Sequence, residues 1–249
     1  MKVSLLVTCL GDALFPDVGV ATVRLLRRLG VAVDFPAAQT CCGQPHFNSG
    51  YADDARDLAR HTIRAFAGSE RVVAPSGSCA AMVKLEYPEL FHDDAVWGPR
   101  ARDLASRMHE LSDYLVNVLG VEDVGAQFDG RVTYHMACHL RGLGLLAEPE
   151  RLLRRVKGLE HVPLERADEC CGFGGSFAVR YPGVSGAMVA DKAAFIEKAN
   201  VDAVVATDAG CLMNIAGCLR RRGSKVKALH LAEVLEHDRP PRPAKDHTA

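Results

Sequence analysis

The sequence predicts an α/β fold of two similar halves arising from an internal duplication, each half a mainly parallel β-sheet flanked by helices. Three observations predict it. Short apolar runs alternate with amphipathic stretches, the order expected of βαβ units. That alternation is traversed twice. One cysteine pattern also occurs in both passes: Cys9, Cys41 and Cys42 recur as Cys138, Cys170 and Cys171 at a single offset of 129 (138 − 9, 170 − 41, 171 − 42), and Cys79 recurs as Cys211 at 132 (211 − 79).

In the first half, Lys2 to Thr8 is too short for a helix and rich enough in Val and Leu for a buried strand. Asp17 to Leu29 sets Val18, Ala21, Leu25 and Leu29 near helical spacing, with Gly30 placed to end the helix. Val31 to Phe35 reads as a second strand, before the Cys41-Cys42-Gly43 loop. Tyr51 to Phe66 carries Ala55, Leu58, Ala59, Ile63 and Phe66 on one helical face. Arg71 to Ala74 is a strand leading through Pro75-Ser76-Gly77-Ser78 to Cys79. Ala101 to Leu119, with Leu104, Met108, Leu111, Leu115 and Val118 on one stripe, predicts a helix joining the halves.

The second half repeats the order. Val132 to Met136 is a strand leading to Cys138, Pro149 to Val156 a helix, and Val162 to Leu164 a short strand before Cys170-Cys171-Gly172. Ser185 to Lys198 is a helix, Ala203 to Ala206 a strand, a further helix opens at Cys211, and Val226 to Leu229 is a last strand. Gly120 to Gly130 holds the expected boundary, giving domains over 1–125 and 126–237 and a mobile C-terminal tail over 238–249, where Pro240, Pro241 and Pro243 fall.

Composition narrows the partners. With 48% hydrophobic and 24% charged residues, the 249-residue chain is a soluble globular protein with ample core. A net charge of −1 gives no electrostatic reason to expect nucleic acid or an anionic membrane. No stretch approaches the roughly 20 apolar residues of a membrane span. The apolar N-terminal run is cut by Asp12 and lacks a small-residue cleavage site, so the expected compartment is the cytoplasm. Thiols stay reduced there, and clustered cysteines then mean metal or catalysis more often than disulfides.

Cys9, Cys79, Cys138 and Cys211 each fall just past the end of a predicted strand, and both Cys-Cys-Gly loops follow strands, where open α/β sheets bind ligands. Four thiolates can hold zinc or an iron–sulfur cluster. Neither set contains the Cys-x-x-Cys knuckle usual for structural zinc. Adjacent cysteines diverge, so they reach different irons more easily than one tetrahedral ion. The plain alternative for all eight is buried apolar thiols, and this is the reading for the ninth, Cys218. His139, directly after Cys138, is a candidate site residue; His46 and His135 are weaker ones. Arg141 and Arg180 could pair with a substrate carboxylate or be solvated, and Asp208 could cap a helix.

The doubled order Cys…Cys-Cys-Gly…Cys resembles the cysteine-rich (CCG) domain iron–sulfur proteins. These include the heterodisulfide reductase B subunit and the glycolate oxidase iron–sulfur subunits. Cys41-Cys42-Gly43-Gln44-Pro45, Pro75-Ser76-Gly77-Ser78-Cys79, Ala137-Cys138-His139-Leu140, Cys170-Cys171-Gly172-Phe173-Gly174-Gly175 and Asp208-Ala209-Gly210-Cys211 resemble in particular the lactate utilization protein A (LutA/YkgE) family, over about residues 3 to 237. The resemblance implies one 4Fe–4S cluster per half, two in all, held by the eight paired cysteines, with His139 matching the family beside Cys138. It also implies an electron-transfer subunit of a cytosolic three-protein system oxidising L-lactate to pyruvate. The partners would be a ferredoxin-domain iron–sulfur subunit and a third subunit, and the chain would be incomplete alone. Where heterodisulfide reductase members carry a further cysteine after the last one, this chain has Met82 and Asn214. Four ligands per site suit a 4Fe–4S cube rather than a five-cysteine noncubane cluster. The alternatives are a thiol/disulfide reductase, a glycolate oxidase iron–sulfur subunit, although the ferredoxin-type cysteine run of that family is absent, and a zinc-stabilised scaffold.

Overall fold

A computed structural model describes residues 1–237, so the predicted tail lies outside the described residues. The first half runs β1 (Lys2–Leu5), α1 (Cys9–Leu14), α2 (Pro16–Arg28), β2 (Ala32–Asp34), α3 (Gln44–Asn48), α4 (Ala52–Ala65), β3 (Val72–Ala74) and α5 (Gly77–Ala81). A π-helical turn, Met82–Glu86, leads to α6 (Tyr87–Leu90), α7 (Trp97–Arg107), β4 (Met108–Glu110), α8 (Leu111–Asp113) and a second π-helical turn, Tyr114–Val118. The second half runs β5 (Gln127–Tyr134), α9 (Cys138–Gly142), α10 (Glu148–Leu153), β6 (Lys157–His161), α11 (Ser176–Arg180), α12 (Pro182–Lys198), β7 (Ala203–Ala206), α13 (Ala209–Arg221), β8 (Lys227–His230) and α14 (Leu231–Glu236).

Two four-stranded sheets result, ordered β2-β1-β3-β4 and β6-β5-β7-β8, and every pairing is parallel. The shared strand order is the structural form of the sequence repeat. β3 and β7 are buried throughout, as internal parallel strands covered by helices on both faces must be.

Three predicted elements differ. The helix expected from Ala101 to Leu119 is broken by β4, which pairs Met108, His109 and Glu110 with Val72, Val73 and Ala74. Met108, Leu111 and Leu115 are buried either way, so their spacing could not tell one helix from helix–strand–helix. The break is fixed by Glu110, whose carboxyl Oε2 accepts from the Ser112 N–H at 2.7 Å and restarts the helix. The short strand expected at Val162 to Leu164 instead occupies Lys157–His161. It is an edge strand with Lys157, Gly158 and Glu160 exposed, so the apolar signal fell on the residues just after it. The helix expected to open at Cys211 opens two residues earlier, as does its counterpart before Cys79.

The halves share a core. Val3, Leu25, Leu111 and Leu115 from the first pack in one cluster with Val132, Leu152, Ile196 and Leu235 from the second. α14 lies on α2, where the Arg28 guanidinium donates to the last carbonyls of α14, Leu235 at 2.6 Å and Glu236 at 2.9 Å. α8 correspondingly meets α10. A second cluster, with Ile63, Phe66, Tyr87, Leu104 and Met108, is built by the first half, with Leu143 of the second packed against it.

Candidate metal centre

The fold delivers six cysteine-bearing segments to the same edge of the two sheets. Cys9 and Cys138 are the first residues of α1 and α9, shortly after β1 and β5. Cys79 and Cys211 lie in the first turns of α5 and α13, after β3 and β7. The two Cys-Cys-Gly loops follow β2 and β6. Cys9, Cys42 and Cys79 from one half and Cys138, Cys170, Cys171 and Cys211 from the other line a single cavity of about 280 Å³. Cys41 lies against Cys9 and Cys42. All nine cysteines are free thiols, and Cys218 is buried in the core. A cavity common to both sets was not legible in the sequence, which placed one set on each sheet.

Within the sets the sulfurs are close. Cys42 and Cys79 Sγ are 3.4 Å apart. The Gly43 N–H donates to Cys41 Sγ at 3.5 Å, and the Gly172 N–H to Cys170 Sγ at 3.4 Å. Both glycines hold a left-handed backbone, φ 88° and 77°. A Cβ on Gly172 would sit 2.7 Å from the Ser185 carbonyl oxygen of α12, so no side chain fits. Each loop is clamped again at its buried cysteine. The Tyr87 hydroxyl donates to the Cys42 carbonyl at 2.7 Å, and the Asn214 amide to the Cys171 carbonyl at 2.8 Å. Asn214 thus fixes the loop and is committed to it. Met82, its counterpart, is fully buried.

The electrostatics ask for a cation. Hydrogen bonds from neighbouring thiols, Cys42 and Cys9 in one set and Cys138 and Cys171 in the other, hold Cys41 and Cys170 far below the ordinary thiol range. Bonds to Cys41 push Cys9 and Cys42 up, and bonds to Cys170 push Cys138 and Cys171 up, with burial adding to each. Crowding thus favours a thiolate at Cys41 and at Cys170 and opposes one at Cys9, Cys42, Cys138 and Cys171. A multivalent cation or cationic cluster removes that restriction, and thiolate is the form that ligates. The donor set therefore fits a thiolate-bound metal or cluster.

The other candidates separate. His139 lines the cavity with Nδ1 3.6 Å from Cys138 Sγ. His135, given less weight on sequence grounds, is 1% exposed, and one of its ring nitrogens lies within 4.8 Å of Cys171 and Cys211 Sγ. Burial first, then the nearby Lys192 ammonium, pushes His135 down to about 4 and keeps the ring neutral. His46 is exposed and acts on Cys41 only through charge. Arg141 is exposed and bonds Asp168, and Arg180 is exposed; neither lines the cavity. Asp208 does cap a helix, but the other half's: its Oδ1 accepts from Ser76 Oγ at 2.8 Å and from the Ser78 N–H at 3.0 Å, at the start of α5. No signal within the sequence could have revealed that crossing.

A cysteine-rich domain model (CCG) matches residues 3–84 and again 132–216. The lactate utilization protein A of Geobacillus kaustophilus is 54% identical over 236 residues, covering 94% of this chain and 98% of that protein. That of Geobacillus thermodenitrificans is 54% identical over 238 residues, with 95% and 99% covered. The one from Oceanobacillus iheyensis is 49% identical over 240 residues, with 96% and 98% covered. With the domain matched twice and half the residues shared along nearly the whole length, this chain belongs to the cysteine-rich CCG-domain family, in the group of lactate utilization protein A.

Proposed function

We propose that the chain is the iron–sulfur electron-transfer subunit of a system that oxidises L-lactate to pyruvate. Cys9, Cys41, Cys42 and Cys79 would hold one 4Fe–4S cluster and Cys138, Cys170, Cys171 and Cys211 a second, with His139 beside the second. When bound, such clusters accept and release electrons one at a time. The observation that carries the reading is the meeting of two four-thiol sets at one cavity, in a chain whose relatives are named for lactate utilization. With both sets at one cavity, electrons would pass between the clusters within a single chain.

The chain's own groups hold the sulfurs. Gly43 and Gly172 aim N–H groups at Cys41 and Cys170, while Tyr87 and Asn214 fix the loops from behind. With Met82 in the core and Asn214 committed to a carbonyl, four ligands remain per site, which disfavours direct disulfide reduction. The proposed division is 1–125 and 126–237. The proposed partners are a ferredoxin-domain iron–sulfur subunit and a third subunit, and the proposed compartment is the cytoplasm. No helix among the described residues is long and apolar enough to cross a membrane.

The test is reconstitution under anaerobic conditions. L-lactate should bleach the visible absorbance of this chain when its two partner subunits are present, and should leave the isolated chain oxidised. An unbleached chain in the complete system would remove the lactate reading. Turnover of a disulfide by the isolated chain with an artificial donor would replace it with a reductase.

A further inference from the structure

The two sites share a cysteine pattern, but beyond the Ser76/Asp208 and Met82/Asn214 pairs their surroundings differ at two further buried positions. Leu6 and His135 are equivalent. Each follows the last residue of its central strand, Leu5 or Tyr134, and each donates its backbone N–H to the neighbouring strand, Leu6 to Val73 O at 2.9 Å and His135 to Val205 O at 2.8 Å. Each is 1% exposed. The first half therefore sets an aliphatic side chain where the second sets an imidazole. Among the described residues neither ring nitrogen of His135 makes a well-formed hydrogen bond, although the Ala167 backbone lies close enough to act on the ring, and one nitrogen lies within 4.8 Å of both Cys171 and Cys211 Sγ. A buried imidazole without a partner is costly, and a neutral ring always carries one N–H to donate.

The second difference lies on the covering helices. A Cβ on Gly43 would meet Ala55 O and Leu58 Cβ of α4, and one on Gly172 would meet Ser185 O and Met188 Cβ of α12. The helices thus correspond at an offset of 130 (185 − 55, 188 − 58), which sets Lys192 opposite Thr62. Both are 1% exposed. The Thr62 hydroxyl returns its bond to its own helix, at Leu58 O. The Lys192 ammonium instead donates to the carbonyls of Arg166 and of Ala167, the latter at 3.4 Å, in the run leading to Cys170. Asp208, which stands where the first half has Ser76 (208 − 76 = 132), acts on both sites, through Ser76 and Ser78 in one and by charge on Cys138 in the other.

Taking the cluster reading as its basis, we propose that the two sites are electrochemically unequal. The second has the higher potential because His135 lies beside two of its sulfurs and Lys192 is fixed on the run leading to Cys170, where the first has Leu6 and Thr62. An N–H donor and a fixed positive charge in a weakly polarisable interior stabilise the extra negative charge of a reduced group at sulfur. His135 and Lys192 act as positioning and tuning residues here, not as ligands.

Potentiometric titration of the full-length, anaerobically prepared protein, followed by electron paramagnetic resonance and metal analysis, tests this. Wild type should show two midpoint potentials. Cys171→Ser should remove the upper one and Cys42→Ser the lower. His135→Leu, which installs the first site's residue, should shift the upper midpoint down toward the lower and leave iron content unchanged. Lys192→Met, which keeps the buried stem, should shift it in the same direction, so the outcome does not hang on one variant folding. A single shared midpoint would overturn the proposal, as would loss of the upper one in Cys42→Ser or unmoved midpoints in both tuning variants. Loss of iron in His135→Leu would also overturn it, by making His135 a ligand. Wild-type protein without iron would instead sink the cluster reading, at the metal analysis and before any potential is measured, and the proposal with it.

Discussion

At the residue scale, the two sets of four thiols depend on a few groups that bear no sulfur. Gly172 combines a left-handed backbone with contact on α12, so Gly172→Ala should cost about 1–3 kcal/mol in thermal or denaturant unfolding. Gly43→Ala, whose nearest contacts are at 3.3 Å, should cost less. Equal losses would show that backbone conformation alone matters. Asn214→Ala and Tyr87→Phe each strip a buried cysteine carbonyl of its donor and should cost on the order of 1–3 kcal/mol. The cysteines were legible in the sequence because a repeated spacing is visible without a structure. His139 was legible because it adjoins a cysteine. His135, Lys192 and the crossing of Asp208 were not, since each matters through a contact that only the folded chain creates.

At the element scale, most strands and the longer helices were legible, because internal parallel strands such as Ala203–Ala206 are continuous apolar runs and the longer helices carry an apolar stripe; short helices such as α3, α6 and α14 were not. β4 was hidden inside a helical stripe, and β6 by its exposure at a sheet edge. The turn from β4 into α8 carries a consequence. Glu110 is 1% exposed, and burial first pushes its carboxyl up to about 8, against the partial relief of the Ser112 bonds. The folded state therefore keeps a proton that the unfolded chain releases near its ordinary pKa of about 4.3. Stability should fall as pH rises from that value to about 8 and level off above, a total of several kcal/mol. Glu110→Gln should flatten the dependence and be the more stable variant at high pH. Urea unfolding of metal-free protein at about pH 5 and about pH 9 reads this. Parallel pH profiles for the two proteins would show that Glu110 is ionised in the fold.

At the scale of the whole molecule, the halves repeat in sequence but do not stand apart. One core cluster draws on both, and α14 is anchored on α2 by Arg28. Calorimetry should therefore find one cooperative transition, and Arg28→Ala should lower its midpoint without splitting it; two separated transitions would mean that the halves are independent. The repeat was legible in the cysteine offsets, whereas the shared core and the common cavity were not, because neither depends on residues near one another in sequence. The same cavity is what makes the metal content decisive. Protein purified without oxygen should be brown, with an iron–sulfur absorbance and about eight iron and eight acid-labile sulfide per chain, the content of two 4Fe–4S clusters. A colourless protein holding only zinc would contradict the account.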